Sequence, residues 1–454
     1  MTSHINPYAG NDADPGEAAP LSGSEVIEPA TVNRRLRRAI FGATAGNLLE
    51  QYDFGLYGSM AAIALGALFF SNLGPTAALF AGFSTYAVGF FARPFGGMLA
   101  GHFGDVFGRK LVLLVTLLVA GFATMAIGLL PTYASAGIWA PIALVTLRTL
   151  QGFAVGGEMA GAVLMVNESA PTAKRGFYTS LVTASSSAGV LLANAVLLAS
   201  ATMPRETFLS WGWRIPFLLA IILIAVGAWI RRHMHESVIF EKAMRSEYAR
   251  ERQKNPLIIM LRHSPRQLVQ VIGICLGFSA ANYILGTWMI GYLSLKGHPS
   301  TVGLTGFIIA VTVFAISAVT SGHLSDKFGR KIMITIGSLG FAALAFPIFT
   351  LVDTGHTTVI WGAYAAFGFF SGMISGPSNS LMVESFRTDH RYMGSSSAYQ
   401  IGTAIGGGLS PLLATWLYAL WHGTWAISLV VLLCSLVCVV SVRSLKETAG
   451  VEIL

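Results

Sequence analysis

Five charged residues stand inside runs of the chain that are otherwise apolar. Glu50 and Asp53 lie three apart in GNLLEQYDFGLYG (46–58), Arg93 lies in FFARPFGG (90–97), and Arg148 and Glu158 bracket RTLQGFAVGGE (148–158). On a helix, residues three apart share a face. A carboxylate held away from water can take up and release a proton as neighbouring charges come and go. A guanidinium keeps its charge at any cellular pH, so it pairs with a protein acid or receives an anionic ligand through its fork of donors. Proton binding by Glu50, Asp53 and Glu158, and carboxylate recognition by Arg93 and Arg148, are the chemistry these types allow. Fixed ion pairs or plain helix contacts are the other reading. Gln151, three residues after Arg148, shares its face and is a candidate for the same cavity.

The elements that carry these charges are set by composition. Of 454 residues, 54% are hydrophobic and only 11% charged, far from a soluble globular chain. Apolar runs long enough to cross about 30 Å of hydrocarbon recur twelve times. We place them at 39–70, 77–100, 111–130, 137–165, 177–202, 212–230, 268–293, 302–322, 332–352, 357–383, 393–419 and 423–442. The expected class is an all-α integral membrane protein. A charge at the centre of a bilayer costs at least about 3 kcal/mol, so the five buried charges must face protein or water.

The net charge of +8 does not point to nucleic acid, because the basic residues alternate by loop. Of 29 Lys and Arg, 24 fall before the first span, in every second short loop, in a central linker or after the last span. Arg205, Arg214 and Lys296 alone fall in the intervening loops. The positive-inside rule then makes both termini and the linker cytoplasmic. Residues 1–33 are polar, without the apolar core of a signal peptide, and are expected to be a disordered cytoplasmic tail. Cys275, Cys434 and Cys438 all fall in apolar spans and read as packing residues.

An internal repeat divides the chain. GHFGDVFGRK (101–110) after the second span matches GHLSDKFGRK (322–331) after the eighth, and ESAPTAKRG (168–176) matches ESFRTDHR (384–391). Glu168 precedes Arg175 by seven residues, as Glu384 precedes Arg391. The expected organisation is a six-helix half at 34–230, a linker at 231–267, a second six-helix half at 268–444 and a tail at 445–454. Parallel halves of this kind hold substrate near the midplane between them and rock about it.

These motifs resemble those of the major facilitator superfamily. Its loop motif is matched by Gly101, Asp105, Gly108, Arg109 and Lys110, and again by Gly322, Asp326, Gly329, Arg330 and Lys331, with Val106 where the motif has Arg. More narrowly, GNLLEQYDFGLYG, FFARPFGG, GGE (156–158) and WGWRIPF (211–217) resemble the metabolite:proton symporter family, whose members move oxoglutarate, citrate, shikimate, proline or betaine with protons. Gln51 stands where that family usually has Trp. The resemblance implies that Asp105 sits near the start of the eleventh span and Asp326 near the start of the fifth. Arg109, Arg330, Glu168, Arg175, Glu384 and Arg391 join them in a cytoplasmic gating network with Gly108 and Gly329 at its turns.

Asn282, Tyr283 and Gln400 are further candidates to line a cavity, since polar side chains in a membrane helix need partners. No phosphate-binding G-x-x-x-x-G-K-[ST] and no metal-ligand spacing occurs, so neither ATP, a metal nor another cofactor is expected. The expected function is proton-coupled import of a small organic acid or zwitterion by a monomer whose partners are its substrate, a proton and the lipid bilayer. The alternative is a proton-coupled exporter of amphipathic compounds, which needs a larger apolar cavity without a carboxylate-binding Arg. A sensor or membrane enzyme would need a catalytic constellation or a soluble domain.

Overall fold

The computed structural model describes residues 47–48, 50–107, 109–155, 158–233, 262, 264–387 and 391–451. The expected tail at 1–33 and most of the linker at 231–267 lie outside the described residues. All regular structure among the described residues is helical.

Twelve spans follow in order. In the first half they are α1 (Glu50–Phe69), α2 (Pro75–Phe107), α3 (Arg109–Leu129), α4 (Trp139–Val155 with Glu158–Ser169), α5 (Arg175–Ala201) and α6 (Ile215–His233). In the second half they are α7 (Pro265–Leu295), α8 (Ser300–Phe328), α9 (Arg330–Leu344 with Pro347–Asp353), α10 (Thr357–Glu384), α11 (Arg391–Trp421) and α12 (Trp425–Ser444). Among the described residues nine helices are long and apolar enough to cross a membrane by themselves, and ten if the two parts of α9, bent by 47°, are one span. The other two spans are α3 and α4, each of which includes or adjoins residues outside the description.

Membrane helices must satisfy their own backbone, and most polar punctuation falls between spans. The loop motif is an exception to that expectation. Residues 323–328, read from sequence as lying beyond the eighth span, continue α8 as helix, and the break comes only at Gly329, whose φ of 100° is open to glycine and strained for other residues. Hydropathy marks where hydrocarbon ends, whereas a helix runs on into the polar zone until a residue stops it.

Each half is a bundle of its own: α2 packs on α4 and α3 on α6, while α8 packs on α10 and α7 on α12. The halves meet along two related seams, α5 against α8 and α10, and α2 against α11. α1 is the most enclosed helix, and α8 faces outward over much of its surface. Short π-helical stretches interrupt α1 at Ala61–Leu65, α7 at Ile284–Trp288 and α11 at Ala404–Gly408. Such widened turns occur often at functional positions.

Candidate functional site

Helical spacing brings Glu50, Asp53 and Tyr57 to one face of α1, opposite Arg93 on α2 and Arg148 on α4. Two ion pairs result. Arg93 Nη2 lies 3.3 Å from Glu50 Oε1, and Arg148 Nη1 lies 3.6 Å from Asp53 Oδ2. All four residues are buried, Arg148 completely. Gln151, also fully buried, ties the second pair together: its carbonyl accepts from Arg148 Nη1 (3.0 Å), and its amide donates to Asp53 Oδ1 (2.9 Å) and to Thr124 Oγ1 (2.7 Å). The Thr124 hydroxyl, from α3, donates to the same Asp53 oxygen at 2.5 Å. One carboxylate is therefore held by groups from α3 and α4 at once.

Aromatic rings enclose the cations. The Arg93 guanidinium lies 3.4 Å from the Phe54 ring centroid, and that of Arg148 lies 4.1 Å from Tyr57 and 4.4 Å from Phe54. A desolvated guanidinium over a ring gains up to about 2 kcal/mol. Tyr86 and Phe90 of α2 close the cage, and Tyr283 of α7 packs edge-on against Phe90 at 5.4 Å, so the cage reaches across to the other half. Gly89 permits the arrangement, because a Cβ there would stand 2.6 Å from Arg148 Nε. The guanidinium groups are not saturated: Arg93 Nε and Arg148 Nε and Nη2 are buried without a hydrogen-bond partner among the described residues.

The other candidates are spread around this centre. Asn282 accepts from the Ser371 hydroxyl at 2.7 Å, joining α7 to α10. Gln400 is partly buried on α11, a turn before its π-helical stretch. The side chains of Asp105, Arg109 and Glu158, and Gly108 altogether, lie outside the described residues.

A second cluster forms where α8 ends, here the motif end. Asp326 accepts from the backbone N–H groups of Gly176 and Phe177, both at 2.9 Å, in the first turn of α5. This is the helix start at which the resemblance places it. Those amides have no partner within their own helix, and the helix dipole favours a negative charge there. Arg330 Nη1 reaches the same carboxylate at 2.6 Å, and its Nε lies 3.4 Å from Glu384. Gly176 and Gly322 let α5 and α8 touch, since a Cβ on Gly176 would meet Ser325 Oγ at 2.6 Å. Of the Glu and Arg seven apart in each half, one pair crosses the halves, Arg391 Nη1 lying 3.7 Å from Glu168, whereas Glu384 accepts from Asn167 of the other half at 3.3 Å. Arg175 donates to the carbonyl of Val451 in the tail at 3.3 Å.

That tail belongs to the cluster, which sequence reading missed. Glu447 accepts from the backbone N–H of Arg330 (2.9 Å) and of Lys331 (3.1 Å) at the start of α9, and the Thr448 hydroxyl donates to Glu384 at 2.6 Å. Burial pushes the Glu447 carboxyl up, but the backbone N–H groups of Arg330, Ala449, Lys331 and Thr448 outweigh it and hold the group below its ordinary value. Thr124 and the rings of Phe54, Tyr57, Tyr86 and Phe90 were also missed. Phe54, Tyr57 and Phe90 stand within the stretches that carry the family resemblance, whereas no signal singles out Thr124 or Tyr86, because Thr and aromatic residues are common in membrane helices.

Twelve helices in two halves, closed around buried charge pairs and clasped at one end, make a membrane transporter. The Major Facilitator Superfamily model matches residues 52–398. The shikimate transporter of Escherichia coli K12 is 36% identical over 86% of this chain and 90% of its own length. The proline/betaine transporter of Salmonella typhimurium LT2 is 35% identical over 92% of this chain and 84% of its own. Among solved structures, a D-xylose-proton symporter superposes with a TM-score of 0.72, covering 92% of this chain and all of that one at 21% identity, a likeness of fold. The chain belongs to the major facilitator superfamily and is a transporter, not an enzyme.

Proposed function

We propose that the protein is a proton-coupled symporter that imports a small organic acid or zwitterionic metabolite by alternating access. The observation that carries this is the pair of ion pairs, Glu50 with Arg93 and Asp53 with Arg148, buried beside the seam between the halves. In a low-dielectric site, protonating a paired carboxylate alone leaves a bare guanidinium, and binding an anion alone leaves excess negative charge. Each is costly. Together they cancel: the proton taken up at one pair's acid offsets the negative charge that the substrate carboxylate brings to the arginine of the other. Arg93 is the arginine assigned to substrate, because it stacks near Phe90, which touches Tyr283 of the other half, with the ring centroid 5.2 Å away. Arg148, tied by Gln151 to Asp53, is assigned to the proton site. The relatives named as shikimate and proline/betaine transporters carry carboxylates and support the class.

At the motif end, Asp326, Arg330, Glu384 and the α5 amides form a clasp that holds one face shut, and its breaking opens the site to that side. The alternating basic loops assign this side to the cytoplasm of a bacterial cell. Asp105, Gly108 and Arg109 are assigned the equivalent role in the first half.

The test is uptake by cells of labelled organic acids and zwitterions, with and without a protonophore. The proposal expects accumulation that the protonophore abolishes. For the substrate so found, Arg93→Lys and then Arg93→Gln should weaken binding stepwise, by about 1.5–3 kcal/mol for a lost charged hydrogen bond. Binding of the substrate's amide should be poor throughout. If neither Arg93 nor Arg148 distinguishes acid from amide, an exporter of amphipathic compounds becomes the better reading.

A further inference from the structure

Within the first half lies a partly open cavity of about 50 Å³, lined by α1, α3, α4 and α6 and away from the α2–α11 and α5–α8 seams. Glu50 and Asp53 line it from α1 and Thr116 and Thr124 from α3, while Ala154, Ala220 and other apolar residues make up most of its wall. It has room for roughly three waters at about 10–15 Å³ each, and water needs polar partners such as these. Asp53 supplies a second reason for water here. Its Oδ2 is buried and accepts no hydrogen bond among the described residues, although a carboxylate oxygen normally takes several.

The cavity also has a direction. Thr116 lies eight residues before Thr124 on α3, about 12 Å along a helix that starts at the motif end. On α4, which runs the other way, Ala154 and Val155 likewise lie beyond Gln151 toward the motif end. The lining therefore leads from the level of Asp53 toward that end without entering the space between the halves.

We propose that this cavity is the inner part of a hydrated proton passage leading from Asp53 toward the motif end, separate from the cleft through which substrate moves. It rests on the proton-coupling reading above. In its acid form Asp53 gives its proton to an adjacent water, leaving a carboxylate. The excess proton is passed along water and the hydroxyls of Thr124 and Thr116 by making and breaking O–H bonds, with no other bond changed. The charged and titratable groups facing Asp53 are Arg148 on α4, Arg93 on α2, and Glu50, Tyr52 and Tyr57 on α1. Arg148 holds the carboxylate once the proton has left. Two separate paths mean that bound substrate does not block the proton's way out.

The test needs no substrate. In the purified full-length protein, the infrared carboxyl band of Asp53, assigned by its loss in Asp53→Asn, is followed after a rapid pH jump. Ala154→Leu and Ala220→Leu fill the passage, and Thr116→Val removes a hydroxyl at nearly constant volume, so that a reading survives if a larger side chain prevents folding. The proposal expects at least about tenfold slower protonation of Asp53 with an unchanged titration midpoint. Wild-type rates in Thr116→Val and in whichever filled variant folds overturn the passage while leaving Asp53 as a proton site. An Asp53 band that never titrates in the wild type overturns the coupling reading, and the passage with it.

Discussion

Replacing Asp326 with Asn isolates what one charge does for the closed state at the motif end. The carboxylate accepts two backbone N–H groups at 2.9 Å and a guanidinium at 2.6 Å. The amide keeps one acceptor oxygen and loses the charge. A hydrogen bond to a charged group contributes a net 1.5–3 kcal/mol or so, and a charge at a partly buried helix terminus up to about 2 kcal/mol. These overlap, and Arg330 keeps Glu384, so about 2 kcal/mol is the expected loss. That is roughly a 30-fold shift toward the state open at this end. Lys174 and Lys327 are exposed and stand on the two sides of the clasp. Spin labels on cysteines at these positions, with Cys275, Cys434 and Cys438 replaced by Ala, report the separation by pulsed electron resonance. The short distance should dominate in the wild type, and a longer one should gain in Asp326→Asn. An unchanged distribution would refute the reasoning, since it would mean the helix-start contact holds nothing shut.

Arg148→Gln should destabilise the protein by about 3–5 kcal/mol by leaving Asp53 charged and unpaired in the interior, and the double variant with Asp53→Asn should recover much of it, as read by thermal unfolding. Gly89→Ala should displace the Arg148 guanidinium and cut proton-driven uptake while the helices remain assembled, which a melting curve alongside transport checks. Glu447→Gln should loosen the start of α9 at neutral pH. Because the folded protein holds the Glu447 carboxyl below its ordinary value, its stabilising contribution is present above that ordinary value and disappears as pH falls through the lowered one. The wild type should therefore lose its advantage over Glu447→Gln on acidification, and a parallel pH dependence of the two melting temperatures would count against it.

Much of this architecture was legible before any coordinate. Twelve spans could be read because hydrocarbon demands long apolar runs, and the buried charges stood out because such runs exclude them. The helix ends were less legible. α2 runs to Phe107 and α8 to Phe328, beyond the apolar stretches, since polar residues past the hydrocarbon still extend a helix. Which acid meets which arginine was open, because that depends on helix rotation and crossing, and sequence periodicity fixes only the face within one helix. Thr124 shows the limit plainly. Its hydroxyl reaches Asp53 across 71 positions, yet in the sequence it is a lone threonine in an apolar run. Glu447 was hidden differently, in a short polar tail where a carboxylate is expected to meet only water.

The grip of Asp326 on α5 is made to amide N–H groups, not to side chains. What it reads is the presence of a helix beginning, a feature every helix offers whatever its residues. The α5 side of the contact can therefore drift in sequence, with a small residue needed at position 176 and little demanded at 177. Statistical pairing of substitutions between the two halves would find nothing linking 326 to its partners, although the bond between them is among the most direct in the molecule. Grafting this clasp onto another pair of helices would require one carboxylate and, on the helix it holds, only a small residue where the two approach.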